Sequence, residues 1–100
     1  MEKSVHTSEY SALRDALCAA RETAGLSQRE LAALLEVPHS WVAKVEIGER
    51  RIDLVEFCWF LSACGVDPVS VVERLTRQVR SLRPTAKREA ARHAKEGRGK

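Results

Sequence analysis

Gly25, Pro38, Gly48 and the run Gly65-Val66-Asp67-Pro68 cut this chain into short segments. No segment alternates apolar and polar residues as a strand would. Instead Leu13, Leu17, Ala20 and Ala24 recur every three or four positions, and Leu31, Leu34 and Leu35 form a second stripe of the same kind. Residues able to cap a helix stand before the stripes. Ser8 or Ser11 opens the first helix, and Gly25 ends it because glycine takes positive φ at no steric cost. Ser27 caps the second, with Glu30 three residues later completing a capping box. The turn Glu36-Val37-Pro38 leads into a third helix, 38–46, with Pro38 in its first turn, where the missing N–H loses no intrahelical bond. Val42 and Val45 mark the buried side of that helix, and Gly48 stops it. Asp53 caps a fourth helix over 54–63. Asp67-Pro68 opens a fifth, whose apolar line Val69, Val72, Leu75, Val79 and Leu82 carries it to about Leu82. The fold class read from this pattern is all-α, with five helices.

One hundred residues suffice for a single core. Apolar residues make up 44% and charged residues 31%, which excludes a wholly disordered chain. No apolar run approaches the ~20 residues of a membrane span, and residues 1–8 lack the apolar stretch of a signal peptide. A cytoplasmic protein without membrane contact is expected. Cys18, Cys58 and Cys64 are odd in number and lack CxxC spacing, and His6, His39 and His93 are scattered. Neither a disulfide framework nor a zinc site is expected from them, and no other cofactor is implied. They read as small apolar groups. Nucleophile–base sets, glycine-rich phosphate loops and paired carboxylates are all missing, so the chain reads as a binder and not an enzyme.

The net charge of +3 is divided unevenly. Residues 1–76 hold eight Lys/Arg against twelve Asp/Glu, a net of −4, whereas residues 77–100 hold nine against two, a net of +7. The chain therefore divides into a domain, 1–82, and a basic, flexible or partly helical tail, 83–100. Thr85 can cap a helix over 86–96, but with alanine and charge alone that helix has no stripe to bury. Such a tail reads as a nucleic-acid-binding extension; a solvated tail and a partner-binding segment are the alternatives.

The second and third helices, each of about eight residues and joined by a three-residue turn, have helix-turn-helix spacing. Ala32 is small where two helix backbones must cross. Leu31, Leu35, Val37, Val42 and Val45 supply apolar contacts between them, and His39, Ser40, Ala43 and Lys44 lie on the outer face. The stretches Gly25-Leu26-Ser27-Gln28-Arg29-Glu30-Leu31-Ala32, Lys44-Val45-Glu46-Ile47-Gly48-Glu49-Arg50-Arg51 and Ala63-Cys64-Gly65-Val66-Asp67-Pro68 carry a resemblance. Over residues 13–67 the chain resembles the Cro/repressor-like (Xre-type) helix-turn-helix family.

That resemblance implies a lambda-repressor-like domain, which in this chain precedes the basic C-terminal extension read from the charge. It implies a transcriptional regulator, a repressor, bound as a homodimer to a palindromic double-stranded DNA operator. It places His39, Ser40, Ala43 and Lys44 at bases, with Lys44 a donor to guanine O6/N7. It places Gln28, Arg29, Trp41, Arg50 and Arg51 at phosphates, and pairs Arg21 with Glu46 as a structural tie. Three positions depart from the pattern. Glu36 stands where glycine is usual, so the turn is either strained or differently shaped. Ile47 stands where a polar, phosphate-facing residue is common. Trp41 is large, and either packs between helices three and four near Phe57 or Phe60 or stacks on DNA sugar or a protein.

In the run Phe57-Cys58-Trp59-Phe60 the four side chains cannot share one core, and Trp59 points outward. With Val72, Leu75 and Val79 it is a candidate dimer surface. The competing reading is an antitoxin or adaptor whose helix-turn-helix scaffold holds a protein partner, such as a toxin or antagonist.

Overall fold

The computed structural model describes residues 7–82, with the backbone alone for 79–82. Among these residues there are five helices and no strand: α1 (Ser8–Thr23), α2 (Gln28–Leu35), α3 (His39–Ile47), α4 (Leu54–Ala63) and α5 (Pro68–Leu82). None is long and apolar enough to cross a membrane.

The helix starts follow from local hydrogen bonding. Ser27 Oγ accepts from the Glu30 N–H at 3.0 Å, and Glu30 Oε1 accepts from the Ser27 N–H at 2.8 Å, so α2 opens with both halves of a capping box. Asp53 and Glu56 repeat the device at α4, at 2.8 and 3.0 Å. At α1 the cap is Thr7, not Ser8 or Ser11: its side chain accepts from the Tyr10 N–H at 3.0 Å. Thr7 has the extended backbone a cap requires, while both serines already lie inside the helix. The third helix also starts later and ends later than its sequence suggests. Pro38 is the cap residue, with φ −63° and ψ 149°, and α3 runs from His39 to Ile47. The pyrrolidine ring fixes φ alone; ψ remains free to stay extended.

The core forms where the helices' apolar faces converge. Leu17 and Ala20 of α1, Leu31 and Ala32 of α2, and Val42 and Val45 of α3 are buried. Phe57, Phe60, Leu61 and Cys64 come from α4 and its cap, and Val71 from α5. Each fully buried aliphatic or phenyl side chain contributes about 1.5–3 kcal/mol. Leu35, Val37 and Trp41 are half-buried against this cluster. The expected line on α5 shifts in register: Val71 is the buried valine, Leu75 packs half-buried beside the core, and Val69 and Val72 are exposed. A run of closely spaced valines lets more than one helical face look apolar, and packing on α1 and α4 selects Val71. All three cysteines are free thiols; Cys64 is buried, and burial pushes its thiol pKa up.

Candidate nucleic-acid interface

The turn between α2 and α3 is tight because Glu36 adopts the left-handed region, φ 59° and ψ 44°. Among the described residues it is the one non-glycine with positive φ. Of the two readings of this turn, the strained one holds, at a cost of roughly 1–2 kcal/mol. The geometry lets Val37 N–H donate to the Ala32 carbonyl at 3.0 Å, closing the end of α2.

With Val42 and Val45 fully buried, the opposite side of α3 is forced outward. His39, Ser40, Lys44 and Ile47 are exposed there, and Ala43 is half-buried beside them. The stripe is polar through its first two turns and ends in an apolar group. Arg29 on α2 and Arg51 beyond α3 are also exposed, and among the described residues neither they nor Lys44 form an ion pair.

One carboxylate fixes the far end of α3. Glu46 accepts from Arg21 Nε at 2.6 Å and Nη2 at 3.1 Å, and from Gln28 Nε2 at 2.9 Å. The Arg21 and Glu46 side chains are only 12% and 5% exposed. Arg21 Nη1 also donates to the Leu26 carbonyl at 2.8 Å, reaching the loop between α1 and α2. The hydrogen bond to Glu46 raises the Arg21 pKa further, so the guanidinium is charged at every accessible pH. Three helices thus meet at one side chain.

The domain has counterparts among known proteins. Residues 12–75 match the family model of a helix-turn-helix domain. The fold is similar to an XRE-family like protein from Pseudomonas syringae pv. tomato str. DC3000, with a TM-score of 0.70 and 43% identity. The match covers 75% of this chain and 92% of that one. The chain belongs to the Xre-type helix-turn-helix family. No curated protein matches it. As a member of that family it is a DNA-binding regulator, with α2 and α3 as its helix-turn-helix.

Two contacts of this Xre-type protein have no counterpart in the sequence reading. Arg14 Nη1 donates to the Glu46 carbonyl at 3.2 Å, placing a positive charge at the C-terminal end of α3, where the helix dipole favours it. Its side chain lies over Gly48, φ 85°, where an added Cβ would meet Arg14 Nε at 3.1 Å. Arg14 stands two helical turns before Arg21, on the same face of α1, and that spacing is the available signal. Tyr10 Oη accepts from the Ile52 N–H at 3.0 Å, a long-range bond without a sequence signature.

The remaining candidate residues separate. Arg50 turns toward Glu56, at 3.1 and 3.2 Å, and its guanidinium carbon lies 5.1 Å from the centre of the Trp41 ring. Trp59 is 57% exposed and Val72 is exposed, but Leu75 is half-buried against the core. The Val79 side chain and the tail 83–100 lie outside the described residues. Leu54 and Val55 join Trp59 as exposed apolar groups on α4, which widens the exposed apolar surface beyond Trp59 and Val72.

Proposed function

We propose that this Xre-type protein is a sequence-specific transcriptional repressor that binds a palindromic operator as a homodimer and reads the major groove with α3. The observation that carries this reading is the exposed stripe His39, Ser40 and Lys44, on the side of α3 opposite Val42 and Val45, with the Lys44 ammonium unpaired among the described residues. Lys44 donates to guanine O6/N7, Ser40 and His39 bond neighbouring base edges, and Ala43 permits close approach. Gln28 and Arg29 stand in the first turn of α2, where backbone N–H groups and the helix dipole attract phosphate. Gln28 keeps one amide N–H beyond the one given to Glu46. Arg51 adds a phosphate contact from the loop.

A two-fold dimer places two α3 helices about one helical turn of DNA apart, ~34 Å. The exposed apolar groups Leu54, Val55, Trp59 and Val72 form the candidate surface for the second copy. The same surface supports a second reading, an antitoxin or adaptor bound to a different protein. Selection of duplexes from a random pool decides between them. A regulator enriches a palindrome with half-sites at that spacing; failure to enrich any sequence overturns the operator reading and leaves the adaptor. In either role the protein acts by binding, in the cytoplasm, without catalysis.

A further inference from the structure

Arg50 and Arg51 are neighbours in the loop between α3 and α4, yet the fold gives them different surroundings. Arg51 is exposed, and its side chain meets no acid among the described residues. Arg50 is committed. Its Nη1 donates to Glu56 Oε1 at 3.1 Å and to the Arg51 carbonyl at 2.7 Å, and its Nη2 donates to Glu56 Oε2 at 3.2 Å. The guanidinium also lies over the Trp41 ring. Glu56 is itself held: its side chain is 17% exposed and accepts the Asp53 N–H at 3.0 Å within the capping box of α4. A carboxylate near a helix N-terminus is favoured by the dipole as well. Three contacts therefore run in sequence from the first turn of α4, through Arg50, to Trp41 in the first turn of α3.

That first turn needs support from outside. Pro38 is the cap residue and makes no side-chain hydrogen bond to α3, unlike Thr7, Ser27 and Asp53 at their helices. His39 and Ser40 stand in this uncapped turn. The opposite end of α3 is tied to α1 and α2 through Glu46. We infer that Arg50 is a positioning residue, which holds the start of the reading helix against α4 through Trp41 and Glu56 and leaves Arg51 as the phosphate contact of this loop. The inference rests on the DNA-reading role proposed above for α3.

The chemistry of arginine separates this role from that of a phosphate clamp. A lysine serves a phosphate as a point charge, but it cannot fork onto a carboxylate while lying flat on an indole. The salt dependence of binding counts phosphates, at about 0.9 in log–log slope for each one. Binding of the selected operator and of random duplex is measured across a salt series for wild type, Arg50→Lys, Arg50→Ala, Arg51→Ala and Glu56→Gln. Arg51→Ala lowers the slope by about 0.9 and weakens both duplexes alike. Arg50→Lys and Arg50→Ala keep the wild-type slope but reduce the operator-to-random ratio about tenfold, the low end of what one base contact carries. Glu56→Gln does the same; its amide oxygen can still accept the Asp53 N–H, so the cap of α4 survives.

Three binding results overturn the inference: wild-type discrimination in Arg50→Lys, a slope lowered by about 0.9 in Arg50→Ala, or tighter binding to every duplex when Glu56→Gln releases the guanidinium. A readout without DNA separates failure here from failure of the proposed function. In a Trp59→Phe background, Trp41 fluorescence shifts to the red on Arg50→Lys when the guanidinium covers the ring. Unchanged emission overturns the positioning role of Arg50 even if no duplex is selected. A red shift with no selected duplex retains the Trp41–Arg50 contact and removes its DNA-reading role.

Discussion

Arg21 and Glu46 meet through two hydrogen bonds, 2.6 and 3.1 Å long, between the last turn of α1 and the last turn of α3. They are 25 residues apart in sequence, and Gln28 of α2 shares the same carboxylate. Both side chains are almost out of water, so the pair joins three helices at a point where neither charge can be left alone. Removing one partner is expected to cost about 3–5 kcal/mol. Arg21→Ala and Glu46→Ala should each lower the urea midpoint by a large fraction of the total stability. A joint replacement by apolar residues of similar volume should recover much of the loss. Equal midpoints for wild type and the single variants would show that the pair carries no weight.

The Glu56 carboxyl sits below the usual carboxylate range, chiefly through its bonds to Arg50 and then through the Asp53 N–H. A depressed folded-state pKa means that the native state binds fewer protons than the unfolded chain. Its stabilisation is therefore present above the unfolded value near 4.5 and is lost as pH falls through the lower folded value. Denaturant melts across this acid range should show Glu56→Gln losing less stability on acidification than wild type. Parallel curves would count against the assignment.

Lys44→Ala should weaken operator binding by about 1–3 kcal/mol and relax preference at one base pair. Titration against operators varied one position at a time reads both effects. An unchanged ratio of operator to random binding would remove Lys44 from the reading set.

Glu36→Gly should stabilise the protein. Relief of the left-handed strain, roughly 1–2 kcal/mol, exceeds the entropic cost of glycine, roughly 0.5–1 kcal/mol. The Glu36 side chain is exposed, and no buried packing is lost. A net gain of about 0.5–1 kcal/mol corresponds to a rise in Tm of roughly 2–8 °C for a domain of this size. A fall in Tm would mean that the side chain has a partner of its own.

Trp59→Glu should shift a dimer to monomer without unfolding it, because the indole is more than half outside the core. Sedimentation velocity over a concentration series, with circular dichroism as the check on folding, reads the outcome. An unaltered sedimentation coefficient would remove this surface as the site of the proposed dimer.

The parts of the fold that are legible in the sequence are those decided by neighbours in the chain. Ser27 and Glu30 cap each other across three residues, and Leu31, Ala32, Val42 and Val45 bury themselves through the helical period. Where two nearby residues can do one job, the sequence alone does not choose. Thr7 caps α1 ahead of Ser8, and Val71 is buried ahead of Val69 or Val72. The site is legible in the same degree. The outer stripe of α3 follows from its inner one, but the different surroundings of Arg50 and Arg51 depend on where the loop carries them relative to Glu56. Arg14 and Tyr10 act through backbone groups of α3 and of the loop after it, 32 and 42 positions away, and beyond the spacing of Arg14 from Arg21 such partners leave no pattern of side-chain types.

Fastening of α3 at both ends has a mechanical consequence. A helix joined to α1 and α2 through Glu46, and to α4 through Trp41 and Arg50, is held against swivelling at both ends. With α3 as the proposed reading helix, compliance in a complex would fall to the nucleic acid. The duplex would then bend or twist to meet a stiff probe, and base steps that α3 never touches would enter the affinity through their flexibility.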